Sequence, residues 1–290
     1  MIERPVWYPL AQTIYRGFIP WAGRHWLERS LMKNLPQALR SPLSYLLTKK
    51  INPEDQLIAG QIETIRQNVL SQHQHQEAHL LSSDGTLPFE WIVNIASVPQ
   101  YWGLFLYLCA SAYQAKTILE LGGCLGISGC YLASAKSCKR FVTIEASAEL
   151  ASIAERNLLQ VARNFQVFNA SFDDVLPQLL PTFEEGLDLA FIDGHHQGDA
   201  TIHYFEQIRP YLHPGSLIIF DDIRWNRDMW QAWQKICQRP GMGFAIDLGR
   251  FGLCTDFSEN PLPPEKHNFF LVSLFGDTWR KRRPPQTIHS

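Results

Sequence analysis

Paired cysteines, an excess of either charge and a leader-like N-terminus are all missing from this 290-residue sequence. Its six cysteines (Cys109, Cys124, Cys130, Cys138, Cys237 and Cys254) include no CxxC and are too sparse for a disulfide framework, which argues for a reducing cytoplasm. Lysine and arginine total 26 against 28 acidic residues, a net charge of −2. No global field announces nucleic acid as a partner, so none is expected. The opening MIERPVWYPL carries Glu3 and Arg4 and lacks the apolar run of a secretory signal, so it is expected to be retained. Internal repeats are also absent.

One long uncharged run is present, from Trp91 to Ala115. It contains Asn94, Ser97, Pro99, Gln100, Ser111 and Gln114, which would be costly in lipid and are easily housed in a buried helix pair broken near Pro99. No membrane span is therefore expected. With 46% hydrophobic residues the chain can bury one sizeable core.

Texture divides the chain in three. Residues 1–115 read as helical pieces interrupted by Pro20, Pro36, Pro42 and Pro53 and by a turn at Ser82 to Thr86, a region suited to capping a substrate site or to oligomerisation. From Lys116 to Gly276, short β-branched runs alternate with helical patterns, the mark of a doubly wound, mostly parallel α/β sheet. Strands are predicted at Thr117 to Leu121, Phe141 to Ile144, Gln166 to Phe168, Asp188 to Ile192 and Ser216 to Phe220. Further strands at Phe244 to Leu248, Gly252 to Thr255 and Asn268 to Leu274 are expected to close the sheet with antiparallel pairing. Helices are predicted after Ser147, Asp199 and Asn226. Residues 277–290 form a basic tail around Trp279 to Arg283, read as a solvated end.

The stretch TILELGGCLGISG places an acid, Glu120, at the end of the first strand, then Gly122, Gly123 and Gly126 in a loop, then Ser128 opening a helix. In open parallel sheets ligands bind outside the carboxyl ends of the strands, and glycines there admit a ligand to the backbone. A dinucleotide fingerprint needs glycines at i, i+2 and i+5, and Cys124, Leu125 and Ser128 occupy the required second positions. The spacing of Glu120, Gly122 and Gly126 instead resembles motif I of the class I, Rossmann-like S-adenosylmethionine-dependent methyltransferases. That resemblance implies that Glu120, Gly122, Gly123, Gly126 and Ser128 wrap the methionine part of S-adenosylmethionine. It also implies that Glu145, ending the second strand, accepts the ribose hydroxyls, and that Ala170 and Ser171 meet adenine.

Strand four ends in Asp193-Gly194-His195-His196 and strand five in Asp221-Asp222. Neighbouring strands would bring three carboxylates to one rim, where like charges require a cation or a proton. Hard oxygen ligands suit magnesium, which fixes an acceptor hydroxyl and lowers its pKa. This half resembles the metal-assisted O-methyltransferases of the catechol and macrolide-sugar types, over roughly residues 116–255. The resemblance implies Mg2+ on Asp193, Asp221 and Asp222, Asp193 also touching the cofactor, and a small-molecule or sugar acceptor. No lysine follows Asp193 where a catechol-type base is expected, so His195 or His196, near neutral at cellular pH, becomes the candidate proton acceptor. A metal-independent N-methyltransferase, an aminopropyltransferase-like enzyme, a binding module without catalysis and a homodimer stay open as alternatives.

Overall fold

The structure is a computed structural model that describes residues 35–73, 76–79, 86–258 and 264–268. The N-terminal segment through residue 34, most of the Ser82 to Thr86 turn, the strand residues beyond Asn268 and the basic tail lie outside the described residues.

Strands β3 (Thr117–Leu121), β4 (Arg140–Ile144), β5 (Phe165–Phe168), β6 (Leu187–Ile192) and β7 (Leu212–Phe220) are joined by helices, so consecutive strands run parallel. β1 (Glu77–His79) and β2 (Thr86–Pro88) form a separate antiparallel pair. β8 (Phe244–Asp247), β9 (Gly252–Thr255) and β10 (Glu265–Asn268) complete an eight-stranded sheet in the order β10-β8-β9-β7-β6-β3-β4-β5. β3 has β4 on one side and β6 on the other, both parallel, so the winding reverses there. A crevice therefore opens at the carboxyl ends of β3 and β6.

Seven of the eight sequence-read strands fall within a few residues of their expected bounds. Pairing at the far edge departs from expectation in one respect. β9 is antiparallel to both β7 and β8, but β10 lies parallel to β8. A tight turn at Leu248 to Phe251 reverses the chain between β8 and β9, whereas β10 arrives by a longer connection at the same edge.

Alternation along each strand sorts side chains to two cores. Ile118, Leu189, Phe191, Leu217, Ile219 and Leu253 face one side, and Leu119, Leu121, Val142, Ile144, Ile192 and Phe220 the other. The second face is covered by α6 (Phe172–Leu179), α7 (Gly198–Ile208) and α8 (Arg227–Ile236). The first is covered by α4 (Ile127–Ala133), by α5 (Ala148–Leu158) and by helices that precede the sheet in sequence: α1 (Gln37–Thr48), α2 (Pro53–Gln72) and α3 (Gln100–Ala112). The early helices therefore share one apolar core with the sheet.

The uncharged run becomes the expected broken pair, Phe89–Ala96 and Gln100–Ala112 bent by 53°. Among the described residues no single helix is long and apolar enough to cross a membrane. A π-helical turn over Ile92–Ala96 and the Pro99 break release backbone carbonyls that need donors. The buried Arg66 guanidinium donates to Val93 O at 2.9 Å and Val98 O at 2.5 Å, and pairs with Glu63 at 2.8 Å. Trp102 of α3 then rests against Phe251, ring centroids 4.7 Å apart, joining this layer to the β8–β9 turn.

At Gly103, α3 approaches α4 so closely that an added Cβ would lie 2.3 Å from the Tyr131 ring. That ring is buried and its hydroxyl donates to Glu63 at 3.0 Å, so it cannot swing aside. Helix propensity alone favours Gly103→Ala by about 1 kcal/mol. Overpacking reverses the sign, and the variant is expected to be less stable than the parent by about 1–2 kcal/mol, read from the midpoint of denaturant unfolding.

Candidate active site

The loop after β3 is shaped by two glycines in the left-handed region, Gly122 at φ 92° and Gly126 at φ 75°. A Cβ on Gly122 would stand 1.8 Å from the Asp193 carbonyl oxygen, and one on Gly126 2.8 Å from the Ala154 Cα. The loops ending β3 and β6 are thus in direct backbone contact. Gly122 and Gly123 donate N–H to Ile144 O at 3.0 and 3.2 Å, and Asn157 reaches from α5 to hold Leu125 O at 2.8 Å.

Glu145, ending β4, is fixed by the same loop. One carboxylate oxygen accepts the Cys124 N–H and the other the Ser147 N–H, each at 2.8 Å. Burial nevertheless keeps its pKa above the ordinary carboxylate range, against the lowering effect of those backbone donors. Asn169 bonds the Glu145 and Ala146 carbonyls at 3.0 Å. Ala170 follows it, half-buried, while Ser171 caps α6 by accepting from Asp174 N at 3.2 Å.

Glu120 is fully buried. Thr143 donates to Oε2 at 2.7 Å, and Oε1 meets no hydrogen-bond partner among the described residues. Burial pushes its pKa up to about 7, against the lowering effect of the Ser128 and Thr143 hydroxyls. S-adenosylmethionine fits these groups by its chemistry. A diol suits the fixed Glu145 carboxylate, an ammonium group suits a buried acid with an unmatched oxygen, and the glycines leave backbone where a side chain has no room.

Across the crevice the acids ending β6 and β7 converge on His196. Its Nε2 lies 3.3 Å from Asp222 Oδ2 and 3.7 Å from Asp193 Oδ1. His195, His196 and Asp222 all carry positive φ, at 62°, 43° and 49°. Non-glycine residues held there store strain, which accumulates where function demands a particular side-chain direction. The two histidines nevertheless point to different partners. His195 is exposed, bonds Tyr204 Oη through Nδ1 at 2.9 Å and lies edge-on to Phe172, away from the carboxylates. His196 is the one at the rim, tilted against Trp225 at 5.3 Å.

Arg250, in the turn between β8 and β9, was not legible as a site residue. Its Nε donates to Asp221 Oδ1 at 2.6 Å and its NH2 group to Oδ2, with both side chains 1% exposed. A lone charge inside the otherwise apolar run LGRFGLC is the signal that marks it. Sequence reasoning also passed over Asn157 and Tyr204.

Burial raises Asp193 well above the ordinary range, with Asp221 adding to the effect. Burial lifts Asp221 to about 6 against the pull of Arg250. Asp222 is buried too, yet Arg250 and His196 together outweigh desolvation and lower it. Desolvation, which raises an acid, would lower His196, but its bond to Asp222 and the surrounding carboxylates carry it to about 9. The imidazole is thus cationic at neutral pH, not neutral as the sequence suggested.

These placements bear on magnesium. The three expected ligands are hard oxygens of the right chemistry, but Asp221 is chelated by a guanidinium, while Asp193 and Asp222 flank an imidazolium. Among the described residues no group of three His, Cys, Asp or Glu side chains is arranged to hold a metal ion. As placed, the residues do not fit a divalent ion.

Comparison with known proteins agrees with the geometry. A family model described as a methyltransferase domain matches residues 119–223, from the middle of β3 to just past the Asp221-Asp222 pair. Among curated proteins the chain is 32% identical to a catechol O-methyltransferase from Niastella koreensis, over 51% of this chain and 67% of that one. Two solved structures share the fold. The O-methyltransferase from Bacillus cereus in complex with SAH has a TM-score of 0.52 and 23% identity, over 68% of this chain and 90% of its own. A putative O-methyltransferase from Klebsiella pneumoniae has a TM-score of 0.51 and 20% identity, over 80% of this chain and 96% of its own. Taken with the glycine loop and the acid that ends β4, these likenesses establish that the chain belongs to the class I S-adenosylmethionine-dependent O-methyltransferases.

Proposed function

We propose that the enzyme methylates a hydroxyl of a small-molecule acceptor at the rim formed by Asp193, His196 and Asp222. The observation that carries this reading is the contact of Gly122 with the Asp193 backbone, which sets the cofactor loop against the acid–base loop. Six cysteines, all free, suit work in the reducing cytoplasm.

When bound, S-adenosylmethionine supplies a methyl group made electrophilic by its sulfonium sulfur. The chain must then hold the cofactor, orient the acceptor oxygen and take its proton. Glu145 receives the ribose diol and Glu120 the methionine ammonium. Glu120 lies beneath the loop, beside Gly129 of α4, and its unmatched oxygen makes it costly to ionise until a cation arrives.

Asp222 and His196 act as one acid–base unit. The working base is the pair once its proton has gone to solvent: the neutral imidazole takes the acceptor's proton, and the Asp222 carboxylate, kept ionised, stabilises the imidazolium that forms; protons in such a pair belong to the group and not to either residue. Trp225, against the His196 ring, supplies an apolar wall at the mouth. Trp230 and Trp233 serve packing instead: Trp233 is buried, and Trp230 carries the Arg224 guanidinium 3.8 Å above its ring.

A panel of phenolic, catecholic and sugar hydroxyl acceptors, assayed by mass for the added methyl group, tests the reading. Methylated product from at least one hydroxyl supports it, and transfer confined to amines contradicts it. His196→Gln is expected to lower the single-turnover rate by about 10²–10⁴-fold. Its affinity for S-adenosylmethionine, measured by calorimetry, should stay close to that of the parent.

Glu120→Gln should split stability from binding. The acid titrates near 4.5 when unfolded and at about 7 when folded, so the folded state holds an extra proton between those values. Stability without cofactor therefore falls as pH rises from 4.5 to 7 and then levels off. Glu120→Gln should remove that slope and stabilise the cofactor-free protein at pH 8 by about 3 kcal/mol. The same change should weaken S-adenosylmethionine binding, so melting curves with and without cofactor should move in opposite directions.

A further inference from the structure

We propose that Arg250 is the resident cation of the reaction rim, standing where a divalent ion would otherwise balance the carboxylates, so that the enzyme transfers methyl groups without a metal. The inference rests on the reading that transfer occurs at the rim of β6 and β7. Its footing is geometric.

Both Asp221 oxygens are bound by the Arg250 guanidinium, and Oδ1 also accepts the Asp222 N–H at 2.6 Å. A cation seated on Asp221 must first displace a group built in from several directions. The Arg250 carbonyl accepts the Ile223 N–H at 3.1 Å, tying the β8–β9 turn to the loop after β7. Its guanidinium also lies 5.4 Å from the centroid of the Phe251 ring. Phe251 in turn packs on Trp102, Phe105 and Phe191, so the turn is anchored in the core.

Charge type matters as much as position. Arginine keeps its proton throughout the range in which proteins fold, so no change of pH vacates the place, as it could with lysine or histidine. A guanidinium and a divalent ion on the same carboxylate would also repel each other at low effective dielectric. Packing alone does not require the pair, because replacing a buried ion pair with apolar groups is often neutral or stabilising. What the pair adds is a fixed positive charge at the Asp221-Asp222 corner of the rim. Arg250 acts through those two aspartates and is thus a positioning residue.

Manganese, added as MnCl2 and followed by electron paramagnetic resonance, reads the claim directly on the cofactor-loaded protein. The parent should bind no Mn2+ at millimolar excess, and its methyl transfer should survive chelation. Arg250→Met, which keeps length and removes charge, should gain Mn2+ binding tighter than the parent by about ten-fold or more. Arg250→Lys, which restores a cation, should again exclude the ion, an outcome that a purely structural role would not produce. Tight Mn2+ binding by the parent, lost in Asp221→Asn, overturns the proposal. So does transfer that stops on chelation and returns with Mg2+, or an Arg250→Met protein that still binds S-adenosylmethionine yet excludes Mn2+. The parent measurement needs no variant to fold. Failure of the hydroxyl-acceptor reading would appear separately, as an acceptor panel without product alongside unchanged manganese results.

Discussion

Gly122 is the point on which the site is built. Its φ of 92° and the 1.8 Å that would separate an added Cβ from the Asp193 carbonyl let the loop ending β3 lie flat against the loop ending β6. Parallel strands that part in opposite directions always leave a crevice, but crevice width depends on how closely the flanking backbones approach. Here the approach brings a loop and acid suited to an adenosyl group next to acids suited to an acceptor. Glu145 reinforces it by holding Cys124 and Ser147 through their N–H groups, so order in the loop depends on the same carboxylate that is proposed to receive the ribose diol.

Charge is the second constraint. Three aspartates at one rim cannot all remain ionised without compensation, and the chain supplies two nitrogen cations. Arg250 takes Asp221, and His196 lies between Asp193 and Asp222. Distinct environments thereby give similar residues different work: Asp193 is pushed toward its protonated form, while Asp222 is held ionised. The strained backbone at His196 and Asp222 is the local cost of aiming both side chains inward.

Much of this was legible in the residues because it depends on short-range pattern. β3 and β9 fall at the bounds their sequences suggest, and alternation along β6 and β7 separates the two cores cleanly. Glu120, Glu145 and the Asp221-Asp222 pair could be found because strand ends are marked by acids and glycines after apolar runs. Arg250 is marked in the sequence only as a charge in an apolar run; its pairing with Asp221 could not be read, since the two lie 29 positions apart and only the antiparallel pairing of β9 with β7 brings them together. The histidines stood side by side in sequence with nothing to rank them. Backbone geometry sends one to Tyr204 and the other to the carboxylates. The early helices gave no motif, and what the structure shows of them is packing: they share the apolar core of the sheet, and Arg66 satisfies the carbonyls of the π turn and the Pro99 break.

The most direct test of the account is calorimetry of S-adenosylmethionine with the parent and with Gly122→Ala, after both are shown to be folded by their far-UV spectra. The parent should bind, and Gly122→Ala should lose measurable binding, because its methyl group forces the β3 and β6 loops apart. Equal affinity in the two proteins would show that the cofactor does not depend on that contact and would contradict the placement of the active site.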